Sequence, residues 1–324
     1  AGYIGSALVP ELIKRGYRVR VLDRLYFGKE SLTSVIDQIE LIKDDIRDIK
    51  VEQLSGIDAV IHLAGLSNDP MANFAPDLNY HVNSEATIRL ARLAKAAGVS
   101  RFIFASSCSI YHRGRYNLLM NKESDPVNPK EFYSHSKYVA EQAILSLATN
   151  DFAVTVLRKG TVGGYSPRIR FDMVVNAMVK TALSEGKLIV YDGGQYRPLV
   201  DIQDVVMAYV KVLQAPANKI NGQIFNVLHR NYTILGLAHE VAKAVEKIVK
   251  HKIPIVGRGR VRDRTYRVSG SKFRRIVGWK SRVSMVESAS KLTRWLLKQT
   301  NFNFSEPIYY NIARMKQLLA NRKK

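Results

Sequence analysis

A phenol and an ammonium stand four places apart in "EFYSHSKYVAEQ", residues 131–142. On a helix Tyr133 and Lys137 share one face, close enough for the ammonium to act on the phenol. A free tyrosine, with a pKa of about 10, is too weak an acid to exist as phenolate at neutral pH. A neighbouring positive charge favours the phenolate and makes it a general base for a hydroxyl proton. The pair alone suits a solvated amphipathic face equally well, since a chain with 16 tyrosines is expected to contain about one Tyr-x-x-x-Lys by chance. Of those 16, only Tyr133 has lysine at the fourth place.

The elements around the pair narrow the choice. "YRVRVLD" (17–23), "IELIK" (39–43), "DAVIHLAG" (58–65), "RFIFASS" (101–107) and "AVTVLRKG" (153–160) read as buried strands. Between them, 5–16, 83–99 and 129–149 read as amphipathic helices. Strands alternating with helices of this length require crossover connections. The pattern therefore predicts a Rossmann-type, doubly wound α/β fold with a parallel sheet over 1–164. From about 165 the pattern loosens into a smaller, loop-rich C-terminal lobe, 165–324, with a stretch near 196–228 expected to return to the first domain.

Composition agrees with a globular protein: 324 residues, 46% hydrophobic, without a low-complexity tract. The single cysteine, Cys108, excludes an intramolecular disulfide and suits a reducing, cytoplasmic compartment. There is no apolar run of transmembrane length and no basic-then-apolar signal peptide. The formal charge is +22, and residues 243–324 hold 22 Lys and Arg against four acids. A field of that sign favours anionic partners: phosphorylated substrates, nucleic acid or an anionic surface.

The chain opens on "AGYIGS", with Gly2 and Gly5 leading into a helix. Glycines there let backbone approach a pyrophosphate, which the helix N-terminus stabilises with its free N–H groups and dipole. The strand and the first glycine that normally precede such a loop are expected to be missing, and NAD binding should be weak as a result. Asp23, closing the second predicted strand 18 residues after Gly5, is placed to receive the adenine ribose hydroxyls of NAD and to repel the 2'-phosphate of NADP. The adjacent Arg24 softens that preference.

Taken together, these segments resemble the extended short-chain dehydrogenase/reductases, in particular the nucleotide-sugar epimerase/dehydratase group, over nearly the whole chain. The motifs fall in order: "AGYIGS", "DDIRD" (44–48), "VIHLAG" (60–65), "HVNSEAT", "FASSCSIY", "YSHSK", "LRKGTVGGYSPR" (157–168) and "YRPLVDIQDVVMAY" (196–209). The resemblance implies that Gly2, Tyr3, Ile4, Gly5, Asp23, Arg24, Asp45, Ile46, Leu63, Ala64, Gly65 and Asn83 contact NAD. It implies Ser107, 26 residues before Tyr133, as the catalytic hydroxyl, Tyr133 as base, and Lys137 as both support for Tyr133 and a ligand of the nicotinamide ribose. Among substrate contacts it implies Arg197 for the diphosphate, Arg264 (or Arg262) as a second cation, and Arg168 facing the sugar pocket.

Departures from the pattern separate the activities. Sugar 4,6-dehydratases of this group carry an Asp-Glu pair directly after the catalytic hydroxyl, to protonate the leaving group and deprotonate C5; here stand Cys108 and Ser109. The group's decarboxylases usually have glutamate where Ser109 stands. The expected activity is therefore NAD-dependent epimerisation of a nucleoside diphosphate sugar through a 4-keto intermediate. Reduction of a keto sugar or related carbonyl is the alternative. Thr161 replaces an asparagine common in galactose-type epimerases, and His112 replaces a glycine beside the nicotinamide. Relatives that have become RNA-binding proteins tend to lose the Tyr and Lys pair, so nucleic acid is the less favoured partner. A homodimer through the helices near 83–99 and 129–149 is expected from the resemblance.

Overall fold

The computed structural model describes residues 1–112, 119–259 and 265–320. Apolar runs become short parallel strands: β1 (Val19–Asp23), β2 (Ile39–Lys43), β3 (Ala59–His62), β4 (Arg101–Ser107) and β5 (Ala153–Lys159). Between them lie α1 (Gly5–Lys14), the short α2 (Asp69–Phe74), α3 (Thr87–Ala96) and α4 (Phe132–Leu145). The chain continues through β6 (Thr161–Gly163), α5 (Val174–Glu185), β7 (Leu188–Tyr191), β8 (Tyr196–Asp201), α6 (Ile202–Gln214) and β9 (Gln223–Val227). It then forms β10 (Arg230–Thr233), α7 (Ile234–Val249), β11 (Ile255–Arg258), α8 (Met285–Leu297) and α9 (Asn311–Ala320).

The main sheet has the order β9-β5-β4-β3, all parallel. Alternation along β4 and β5 sorts its two faces. Phe102, Phe104, Val154 and Val156 pack under α3 and α4 with Leu90, Ala91, Ala140 and Ile144. Ile103, Ala105 and Leu157 belong to the larger core with α1, α6 and α5. Burying strands on both faces explains why they read as continuous apolar runs. After residue 165 the chain makes smaller sheets, β6-β8-β10 and β7-β11, and returns to the main sheet through β9, whose Gln223–Val227 pairs with 155–159.

β1 and β2 form a separate parallel pair, and β1 shares no ladder with β3. Residues of both facing edges, among them Val19, Val21, Ala59 and Ile61, line one cavity of about 1760 Å³. That cavity continues past the C-terminal ends of the strands to Ser107 and Tyr133, so a slot within the α/β layer and the cleft above it are one space. No helix among the described residues is long and apolar enough to cross a membrane.

Candidate active site

At the cleft's centre β4 ends and α4 begins. Tyr133, in the first turn of α4, reaches the strand end, where the Ser107 hydroxyl acts on its phenol. The same Ser107 Oγ accepts from the Ser109 backbone N–H at 3.1 Å and the Ser109 hydroxyl at 3.0 Å. The residue after the catalytic hydroxyl is thus turned away: Cys108 is fully buried and donates from Sγ to the Arg158 carbonyl at 3.0 Å. Lys137, one turn after Tyr133, is 4% exposed and lies 4.9 Å from the Phe104 ring centre. All three candidate catalytic residues line the cavity.

The electrostatics differ from the sequence-based expectation. Burial pushes the Tyr133 phenol up to about 12, the nearby Asp69 charge adds to this, and Ser107 and Arg170 only partly oppose it. Burial likewise brings Lys137 down to about 8. The structure therefore does not give the expected depression of Tyr133 by Lys137. Removing both groups from water disfavours both charged forms, and burial is the first cause acting on each.

The proposed cofactor residues gather at the other end. Gly2, Tyr3, Ile4 and Gly5 form the turn into α1, whose first turn carries no acidic side chain to offset its dipole. A Cβ on Gly2 would meet nothing within 4 Å, so that backbone faces open space. Asp23 closes β1 at the cleft; its carboxylate accepts from the Leu25 N–H at 2.6 Å and the Ala1 amino group at 3.1 Å. Arg24 and Arg47 both pair with Asp45; although burial opposes it, Arg47 first and Arg24 after it hold that carboxyl down at about 2. Arg24 is thus engaged by Asp45 rather than turned toward a 2'-phosphate. Ile46, Leu63, Ala64 and Gly65 line the same wall. Gly65 has φ +155, and a Cβ there would lie 2.5 Å from Asn83 Oδ1 and 3.1 Å from Lys137 Nζ.

Asn83 sits inside a π-helical segment, His81–Ala86, and does not open a helix as the sequence suggested. Its side chain bonds the Leu66 N–H and C=O at 2.8 Å each and Asn79 Oδ1 at 2.7 Å, so the wide turn ties α3 to the loop after β3. Arg197, on β8, lines the cleft with its guanidinium 5.5 Å from the Tyr266 ring and donating to the Tyr196 carbonyl. Arg264 and Arg262 lie outside the described residues.

Arg168, expected to face the sugar pocket, lines the cleft close to α1. It is 5% exposed, stacks 3.6 Å from the Phe27 ring centre, and donates to Asn311 Oδ1 at 2.7 Å. Its backbone N–H donates to the Ser6 hydroxyl in α1, so it stands beside the glycine turn at the cofactor end. The cause is the strand-to-loop path after β6. There Ser166 bonds the Tyr3 carbonyl at 2.6 Å and Ser6 at 2.8 Å, drawing 166–168 onto α1. Burial, then the neighbouring Arg170, brings Arg168 down to about 9.

Two cleft residues had no signal in the sequence. Asp69, 7% exposed at the start of α2, acts on Tyr133 although 64 residues separate them. Lys159, at the end of β5, is set against Ser107 by strand register. Neither position follows from local spacing.

The protein-family model described as the NAD dependent epimerase/dehydratase family matches residues 1–227. The UDP-glucose 4-epimerase of Mycolicibacterium smegmatis is 31% identical over 304 residues, covering 90% of this chain and 94% of its own. Among solved structures, MoeE5 in complex with UDP-glucose and NAD is 25% identical with a TM-score of 0.77, covering 92% of this chain and 96% of its own. The dTDP-glucose 4,6-dehydratase DesIV of Streptomyces venezuelae, with a TM-score of 0.80 at 24% identity, covers 95% of this chain and 97% of its own and shares the fold.

Proposed function

Because the chain belongs to the NAD dependent epimerase/dehydratase family, we propose that it inverts C4 of a nucleoside diphosphate sugar, through a 4-keto sugar, using bound NAD. The observation that carries this reading is the Ser107, Tyr133 and Lys137 constellation, followed by a buried thiol and a serine hydroxyl instead of an acid pair. NAD fits the residues present: open backbone at Gly2, an α1 N-terminus without acidic side chains, and Asp23 at the ribose end. Arg168, beside that N-terminus, with no carboxylate bonded to it among the described residues and with Nε unpartnered there, is assigned to the cofactor's pyrophosphate rather than to the sugar.

When bound, NAD supplies a hydride acceptor that returns the hydride, and a positive charge over the chamber. Tyr133 takes the proton from the C4 hydroxyl and later gives it back. Ser107 donates a hydrogen bond to the same oxygen, holding it within reach of the phenol. Lys137 provides the cation that stabilises the phenolate once the chamber carries its charges. Arg197, which also lines the cleft, is assigned to the substrate diphosphate. Asp69 opposes the phenolate and keeps it a strong base.

The test is turnover of UDP-, dTDP- and GDP-sugars with catalytic NAD, following product sugar and net NADH, for the protein and for Tyr133→Phe. A C4 epimer without net NADH, reduced about 10²–10⁴-fold in the variant, supports the reading. Net consumption of reduced cofactor replaces it with carbonyl reduction. No turnover, together with salt-sensitive RNA binding, moves the function to the basic C-terminal quarter. Light scattering tests the expected homodimer.

A further inference from the structure

Register pairs Ser107 on β4 with Lys159 on β5. Ser106 and Arg158 bond Glu141 of α4 on one face of the sheet, so alternation sends Ser107 and Lys159 together to the other. Thr161 follows two places on, and all three line the cleft with Tyr133. Gly160, between them, lets this segment lie tight against β8: a Cβ there would be 2.7 Å from the Pro198 carbonyl oxygen. The Lys159 ammonium is thereby held at the reacting end of the cleft.

Among the described residues its surroundings contain no counter-charge. Nζ donates to the Ser106 carbonyl at 2.9 Å, and an ammonium has three N–H donors. Facing it are the Tyr209 ring of α6 at 6.0 Å, Lys137 of α4, and the Cys108 thiol from the turn after β4; no carboxylate is among the groups acting on it. Burial, and then the charge of Lys137, brings it down to about 7. An unpaired ammonium in such a place is costly unless an anion joins it.

We propose that Lys159, with Thr161 beside it, is an anion subsite at the reacting end, and that the sugar epimerised here carries a carboxylate: the substrate is a nucleoside diphosphate uronate. The proposal rests on the epimerase reading. Sugar chemistry fits the position, because the C6 carboxylate hangs from C5, the neighbour of the C4 held by Ser107 and Tyr133. The diphosphate, assigned to Arg197, is at the other end of the sugar and leaves Lys159 unsatisfied.

Calorimetry with UDP, UDP-glucose and UDP-glucuronate, the last two differing only at C6, tests this in the NAD-loaded protein. The expected result is binding of UDP-glucuronate at least about 10-fold tighter than UDP-glucose. That preference should collapse to about one in Lys159→Met and persist in Lys159→Arg. A carboxylate raises the Lys159 pKa, so near pH 7.5 the uronate should take up a fraction of a proton that UDP-glucose does not, seen by comparing buffers of different ionisation enthalpy. Equal or reversed wild-type affinities overturn the proposal whatever the variants do, as does a preference that survives in Lys159→Met. Failure of all three ligands, UDP included, excludes the uridine base, and failure of the dTDP and GDP counterparts as well removes the nucleotide-sugar reading itself and this proposal with it.

Discussion

Burial works against three of the ionisable groups that the site and its supporting strand depend on. Tyr133, Lys137 and His62 are all shifted toward their neutral forms, since each lies where water cannot solvate a charge. His62, 3% exposed at the end of β3, stacks on Phe104 with ring centres 5.8 Å apart and bonds the Thr87 hydroxyl at 2.8 Å. Burial and then Lys137 bring it down to about 3. The unfolded chain takes up a proton near pH 6.5, and the folded one refuses it until about 3. Stability is therefore intact above 6.5 and falls by about 1.4 kcal/mol per pH unit below it. Urea midpoints measured from pH 7 to 4 should show this slope, and His62→Gln should flatten it; an unchanged slope would place the acid sensitivity elsewhere.

The helix that carries Tyr133 and Lys137 is tied to the sheet by one buried ion pair. Tyr133, Lys137 and Glu141 recur every four residues along α4; the first two meet the cleft and the third goes under the sheet. Glu141, fully buried, accepts from Arg158 Nε at 3.1 Å and from the Ser106 hydroxyl at 2.8 Å. Arg158 also donates to the Tyr111 hydroxyl at 2.7 Å, which donates to Asn226 Oδ1 at 2.9 Å. One network thus joins α4, the residue before Ser107, β5 and β9. Glu141→Ala leaves the guanidinium buried and unpaired, at a cost of about 3–5 kcal/mol. Pairing it with Arg158→Met should recover much of that stability, measured by urea unfolding, because the orphaned charge is then gone. If the double variant is no better than the single one, the network stabilises through packing and not through charge.

At the scale of the molecule, the slot between β1 and β3 interrupts the packing of the α/β layer. Its edges are half-occupied ladders, and it opens directly into the cofactor end of the cleft. Much of this organisation is legible in the chain itself. The alternation of strands and helices, the Tyr133 and Lys137 spacing, and the glycines before α1 are local patterns, dictated by backbone periods of 2 and 3.6 residues and readable within a dozen positions. What the tertiary structure alone decided is non-local: Lys159 opposite Ser107, Asp69 against Tyr133, Arg168 drawn to α1, and the burial that shifts Tyr133 and Lys137 toward their neutral forms. Strand register and loop path bring together residues that are distant in sequence, and desolvation exists only once the chamber has closed around them.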